Sequence, residues 1–233
     1  MSEITGFIDL YCERTVQGFF NEPLNAVSNL GFVVAGWWAA RQLSRTESLS
    51  IIWVLCVLAA LIGLGSFVFH TVPSRLTQWL DVIPIWAFVL SYAMVVTHMA
   101  TGKRWLVTLG YLVLGIGLLV VLFVLSGELI SAAPPGAEER VLNGSLQYLP
   151  VVLVLLLFSV GATVMKHRIN RHLWWATGLF AVALFFRTID IAVCQTLPTG
   201  THFIWHLFDA LLIAVLLHGL IRFYTASHES IEP

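Results

Sequence analysis

Along the chain, apolar runs about as long as a bilayer is thick alternate with short polar connections. A helix crossing the hydrocarbon core needs about 20 mostly apolar residues. Seven stretches come near that length: Pro23–Leu43, Leu49–Thr71, Thr77–Met99, Arg104–Ser126, Leu146–Met165, His172–Cys194 and Gly200–Tyr224. Pro23 suits a first helical turn, where no backbone donor is needed. Gly102 with Lys103 and Arg104, and Pro198-Thr199-Gly200, mark tight connections. The longer connection Gly127–Ser145 carries Pro134-Pro135-Gly136 and Glu138-Glu139, and no internal repeat is evident. The pattern predicts an all-α polytopic membrane protein, a seven-transmembrane helix bundle forming one domain. Residues 1–22 are an outer N-terminal segment, 23–225 the bundle and 226–233 an inner tail.

Composition agrees with the pattern. The 233 residues are 58% hydrophobic and 11% charged, against about 25% charged in a soluble domain, so the chain cannot cover a water-facing surface. Its 12 basic and 13 acidic residues nearly cancel, which argues against a nucleic-acid partner. Met1 to Thr15 holds three acids and no apolar stretch, so no cleavable signal peptide is expected.

Charge adds an orientation, because Lys and Arg favour the inner face. With the N-terminus outside, the inner segments hold Arg41, Arg45, Lys103, Arg104, Lys166, Arg168, Arg171 and Arg222. The outer ones hold Arg14, Arg75 and Arg140, while Arg187 lies within span six. Eight against three predicts N-terminus outside and C-terminus inside, the outside being a periplasm or a lumen.

Ionisable groups at membrane depth cost about 2.5–3.5 kcal/mol each on insertion scales and mark functional sites. Here they converge. His70 ends the outward-running span two, Asp81 lies about one turn into span three, and His202 and His206 open span seven. All four reach the same depth near the outer face. His202 and His206 are i,i+4 and share one helix face. With a third histidine from another helix they form a three-ligand site with an open position, the arrangement of a catalytic zinc centre. Ser66 precedes His70 by four residues and faces the same way. The competing reading is a structural polar cluster in which the imidazoles simply hydrogen-bond Asp81.

His98, His167, His172 and His228 fall near the inner surface among Lys and Arg and read as headgroup contacts; His218 has no evident metal partner. Arg187 and Asp190, at i,i+3, read as an ion pair. Asp209 either orients a ligand imidazole or pairs with Arg187. Cys12 and Cys194 both lie on the outer side, where an oxidising compartment allows a disulfide pinning the N-terminal segment; Cys56 reads as packing. Asp9, Glu13, Glu22, Asn21 and Asn25 supply oxygens suited to a hard cation such as calcium. The alternative is a solvated segment in which Glu22 favours the dipole of the first helix.

Taken together the residues resemble the alkaline ceramidase family, within the seven-span hydrolases that include adiponectin-receptor-like proteins. The ordered set is Tyr11-Cys12-Glu13, Glu22-Pro23-Leu24-Asn25 through Ser28-Asn29, Gly65-Ser66 through His70, and Leu80-Asp81 ahead of Pro84. It ends with Arg187 through Asp190, Cys194, and His202 through His206. The resemblance implies zinc on His70, His202 and His206, with Asp81 and Ser66 in the catalytic site. It also implies a calcium site from Glu13, Glu22, Asn25 and the Tyr11 carbonyl, and a Cys12–Cys194 disulfide. One departure stands out: the family commonly has an acid two residues before the cysteine, where this chain has Leu10, with Asp9 one place earlier.

The expected activity is zinc-dependent hydrolysis of a lipid amide, ceramide giving a sphingoid base and a fatty acid, by an enzyme embedded among membrane lipids. Asp81 is expected to shuttle the proton and Ser66 to stabilise the oxyanion. The alternative is a receptor-like lipid-binding protein with structural zinc. A transporter would place polar groups near the midplane or along a through-path, whereas this cluster is confined to one side.

Overall fold

The computed structural model describes residues 8–16, 18–43, 50–110, 113–115, 117 and 141–229. Most of predicted span four and of the connection after it lies outside these residues. Among those described there is no strand. The helices are α1 (Pro23–Ser28), α2 (Leu30–Leu43), α3 (Ser50–Thr71), α4 (Arg75–Thr101), α5 (Leu149–Val164), α6 (Asn170–Ile189) and α7 (His202–Glu229). Residues 105–110 are also helical. Among the described residues, five helical stretches are long and apolar enough to cross a membrane: Ile51–Thr71, Arg75–Met99, Leu142–Val164, Asn170–Ile189 and His202–Tyr224.

The first predicted span is a single run in the sequence but two helices in the structure. The interruption at Asn29 has a local cause. The Asn25 carbonyl, which an unbroken helix would pair with the Asn29 N–H, instead accepts from Ser28 Oγ (2.9 Å) and Asn29 Nδ2 (2.7 Å). The Asn29 N–H turns to Ala26 O at 3.3 Å. Short polar side chains here compete with the backbone ladder.

Helix α4 starts on a reciprocal cap: Thr77 N–H donates to Ser74 Oγ (3.3 Å) and Ser74 N–H to Thr77 Oγ1 (2.9 Å). It ends at Gly102, whose φ of +61° is the left-handed cap glycine favours. Helix α3 lies between α2 and α4, α7 packs on α6 and α2, α5 packs on α6, and α1 bridges α3 and α7. The interior is built from Ile52, Leu55, Ala59, Val95, Leu173, Ala176, Ala183, Leu217 and Leu220. The outward faces are apolar too, with Trp37, Leu61, Leu157, Val164 and Phe185 exposed, which fits hydrocarbon rather than water as the surrounding solvent.

Small residues let the helices approach, as membrane bundles require. The tightest approach is Gly65 of α3, where an added Cβ would meet the Leu80 carbonyl oxygen of α4 at 2.1 Å. Leu80 is the residue whose carbonyl an ordinary residue at position 84 would satisfy, and position 84 is proline, which has no N–H. The freed carbonyl faces a helix that has no side chain there. That juxtaposition sets Ser66 against Asp81.

A candidate metal centre at one end of the bundle

Three elements bring the histidines together. His70 closes the last turn of α3, and His202 and His206 occupy the first two turns of α7. All three are buried, and their candidate ligand atoms lie within 4.8 Å of one another. Ring centroids are 5.4 Å apart for His70–His202, 4.9 Å for His70–His206 and 4.5 Å for His202–His206. Among the described residues no other such cluster occurs. His98 instead stacks on Trp105, and His172 lies beside His218.

On two of the rings, His70 and His206, the outer nitrogen is held by a group that leaves the opposite one free. His70 Nδ1 meets the Glu22 carboxylate, which only accepts, so the imidazole donates there. His206 Nδ1 lies 3.1 Å from the Asn25 carbonyl and 2.8 Å from Ser28 Oγ, whose own proton goes to that carbonyl; it therefore donates as well. The lone pairs on Nε2 of both rings are left for the centre. His70 Nε2 and His202 Nδ1 are buried with no hydrogen-bond partner. Orphaned polar atoms at such depth are costly unless an ion or ligand engages them, and three neutral imidazoles suit zinc. The donor set therefore fits a metal.

Tyr11 stacks flat on His202, ring centroids 3.8 Å apart. Both rings border a cavity lined by Ser66, Asp81, His202, His206, Tyr11 and Asp209 at its polar end. Ser66 and Asp81 stand together in that polar end. From Asp81 the lining continues down α4 through Ile85, Phe88 and Val89 to Tyr92, and down α7 through Leu212 and Ile213 to Leu216. At 1.5 Å rise per residue this is an apolar slot about 15 Å deep.

The structure brings the three histidines expected to hold zinc together with Ser66 and Asp81. It departs from the sequence reading elsewhere. Arg187 and Asp190 are not in contact as an ion pair. Asp190 accepts from the N–H groups of Cys12 (3.0 Å), Thr201 (2.7 Å) and His202 (2.9 Å), capping α7 where its first histidine stands. Arg187 donates to Asn143 O (3.0 Å) and lies over the rings of Tyr148 and Trp205. Asp209 makes neither expected contact: its Oδ1 is buried and unpartnered at the cavity wall.

Arg14, counted in the sequence as an outer loop charge, is buried. It pairs with Glu22 and donates from Nη2 to the His70 carbonyl at 2.8 Å. Burial alone would raise the Glu22 carboxyl, but the His70 imidazole and the Arg14 guanidinium outweigh it and hold the group below its ordinary range. Glu13 accepts the N–H groups of Leu24 and Asn25, both at 2.8 Å, and thereby starts α1. Asp9 is exposed. The Cys12–Cys194 disulfide, Cα atoms 5.5 Å apart, ties this N-terminal segment to the turn after α6. The one sequence signal for the Glu22 network was polar spacing in an apolar span: Asn25, Ser28 and Asn29 at i, i+3 and i+4.

A profile of the ceramidase family matches residues 3–231. The chain belongs to the ceramidase family. The match covers nearly the whole chain, and every helix of the bundle falls within it. No curated protein sequence matches the chain significantly. Membership implies an amidohydrolase, and the buried histidine cluster is where the chain could hold a metal.

Proposed function

We propose that the protein is a zinc-dependent intramembrane hydrolase that cleaves the amide bond of ceramide or a related lipid amide. The observation that carries the reading is a three-imidazole cluster opening, beside the Ser66–Asp81 pair, onto an apolar slot. A substrate with a polar amide head and a long hydrocarbon chain matches both halves. The bundle is read as seven spans with the N-terminus outside, so the site lies near the periplasmic or lumenal face.

His70, His202 and His206 hold the zinc, which lowers the pKa of water to about 7 and polarises the amide carbonyl. Asp81 removes the proton of the attacking water as the new carbon–oxygen bond forms. It then delivers that proton to the amide nitrogen as the carbon–nitrogen bond breaks, so the sphingoid base leaves as a neutral amine. Ser66, beside Asp81 in the cavity wall, supplies a hydroxyl for the developing oxyanion. Glu22 and Asn25 fix the imidazoles by holding their Nδ1–H groups, as outer hydrogen-bond partners of metal ligands do.

The test is fatty-acid release from ceramide by purified protein in detergent, with and without a strong zinc chelator. Release that the chelator abolishes, and that His206→Ala lacks, supports the hydrolase. Stoichiometric zinc without release from any lipid amide favours the receptor-like reading.

A further inference from the structure

The family resemblance implies calcium on Tyr11, Glu13, Glu22 and Asn25, with Asp9 nearby. In this chain those oxygens are engaged by the protein itself. The Tyr11 carbonyl accepts the Arg14 N–H at 3.3 Å. Both Glu13 oxygens accept backbone N–H groups of α1. One Glu22 oxygen accepts from Arg14 Nε, and the other faces His70 Nδ1 and Asn25 Nδ2, the latter at 3.1 Å. The Asn25 carbonyl serves Ser28, Asn29 and His206. Apart from the exposed Asp9 carboxylate, Asn25 Oδ1, a neutral oxygen, is the one member of the set with no partner, whereas calcium takes six to eight oxygens. The residues do not fit calcium.

A cation nevertheless stands at this place. The Arg14 guanidinium is buried against Glu22, and its Nη2 reaches the His70 carbonyl, so one side chain touches the residue that orients a metal ligand and the backbone of that ligand. A guanidinium is planar, permanently charged and donates along several fixed directions, which suits a carboxylate and a carbonyl at once. A divalent ion beside it would meet like charge in a site of low dielectric.

We propose that Arg14 is the resident cation of this site: it stands in place of calcium, neutralises Glu22, and positions His70 by tying the N-terminal segment to the end of α3. The proposal rests on the reading of the three histidines as a metal centre. Arg14 is a positioning residue, acting through Glu22 and His70 rather than on substrate. The protein needs no calcium to hold its N-terminal segment, since the Cys12–Cys194 bond and the Arg14 contacts already do so.

The experiment measures metals rather than turnover. Protein purified in detergent is exposed to calcium at about 1 mM, the weak end of the range for extracellular calcium sites, then to a calcium-selective chelator. Bound calcium and zinc per chain and the melting temperature are recorded in each case. Zinc affinity is then measured by competition with a chromophoric chelator for wild type, Arg14→Gln and Arg14→Lys. The expected result is zinc without calcium and a melting temperature indifferent to either treatment. Zinc affinity should be about 10–100-fold weaker in Arg14→Gln and partly restored in Arg14→Lys.

One calcium per chain, or a melting temperature that falls by several degrees in the calcium chelator, overturns the replacement. Wild-type zinc affinity in Arg14→Gln overturns the positioning role. Should Arg14→Gln not fold, Arg14→Met carries the affinity arm, and wild-type affinity there counts against the role. A chain that takes up no zinc sinks the metal centre and this proposal together. Failure to hydrolyse ceramide leaves every one of these readings intact, which keeps the two claims separable.

Discussion

Gly65→Ala separates what α3 contributes to the site from what α4 contributes. The new Cβ would lie 2.1 Å from the Leu80 carbonyl oxygen and 2.8 Å from its carbon. Cβ contacts shorter than 3.0 Å do not occur in folded proteins, and the obstacle is backbone, so no rotamer change relieves it. The two helices must part locally by about 0.9 Å or more. Leu80 directly precedes Asp81, so the displacement falls on the proposed proton carrier. The imidazoles sit on α3 and α7 and keep their mutual geometry.

A misplacement of about 1 Å at a reacting group costs on the order of 10²-fold, or about 2.7 kcal/mol of barrier. Overpacking a helix interface costs a further ~1–3 kcal/mol of stability. The expected outcome is kcat for fatty-acid release lowered about 100-fold, zinc content unchanged and a modest drop in melting temperature. Gly178→Ala in α6, where an added Cβ meets nothing within 4 Å, is the control and should behave as wild type. Wild-type kcat in Gly65→Ala would refute the claim that this contact sets the Ser66–Asp81 geometry. Loss of zinc in step with activity would refute the division of labour between α3 and α4.

Other perturbations probe the remaining parts. Asp81→Asn should retain zinc, measured by elemental analysis, and lose hydrolysis; normal turnover would remove Asp81 from the proton path. Ser66→Ala should keep zinc with kcat down by about 10²-fold, the cost of a lost oxyanion donor, and unchanged kinetics would reduce the serine to packing. Asp190→Ala removes the acceptor for three N–H groups, including that of His202. It should lower the melting temperature and weaken zinc binding, and a wild-type zinc affinity would show that the cap does not position the ligand. Reducing Cys12–Cys194 should cost about 2–5 kcal/mol, read as a fall in melting temperature on adding a thiol that Cys12→Ser does not share.

The five long helices and the clustering of the three histidines were legible because each rests on a strong one-dimensional signal. Runs of apolar length mark spans, and His202 with His206 at i,i+4 marks a shared face. The contacts that hold the site were not legible, because they join residues with no mutual periodicity. Asp190 sits three residues from Arg187, the spacing of an ion pair, yet its carboxylate is taken by N–H groups 11 and 12 positions later and by one 178 positions earlier. A charge count treats Arg14 as one more outer loop residue, and nothing in the sequence says that a guanidinium eight residues before Glu22 will be buried against it. The break in the first span was visible only as Asn25, Ser28 and Asn29 on one face, a pattern that announces polar contacts without naming His206 as the partner.

The placement of these contacts has a consequence for how the site is assembled. Helices α3 and α7 bring the imidazoles, but the groups that fix the Nδ1–H of His70 and His206 come from Glu22, Asn25 and Ser28. Those residues are in turn held by Glu13, Arg14 and the Cys12 bond. Cys12, Glu13, Arg14, Glu22, Asn25 and Ser28 are therefore part of the proposed metal centre, and α3 and α7 alone leave the His70 and His206 rings without the partners that orient them. A chain cut just before Pro23 should still form its apolar helices, because their burial does not depend on the segment. It should bind zinc at least 10–100-fold more weakly, the loss expected when partners of metal ligands are removed. Zinc competition on that truncated chain, against circular dichroism for helix content, separates the two effects. Full zinc affinity without residues 1–22 would mean that the imidazoles are oriented by the bundle alone.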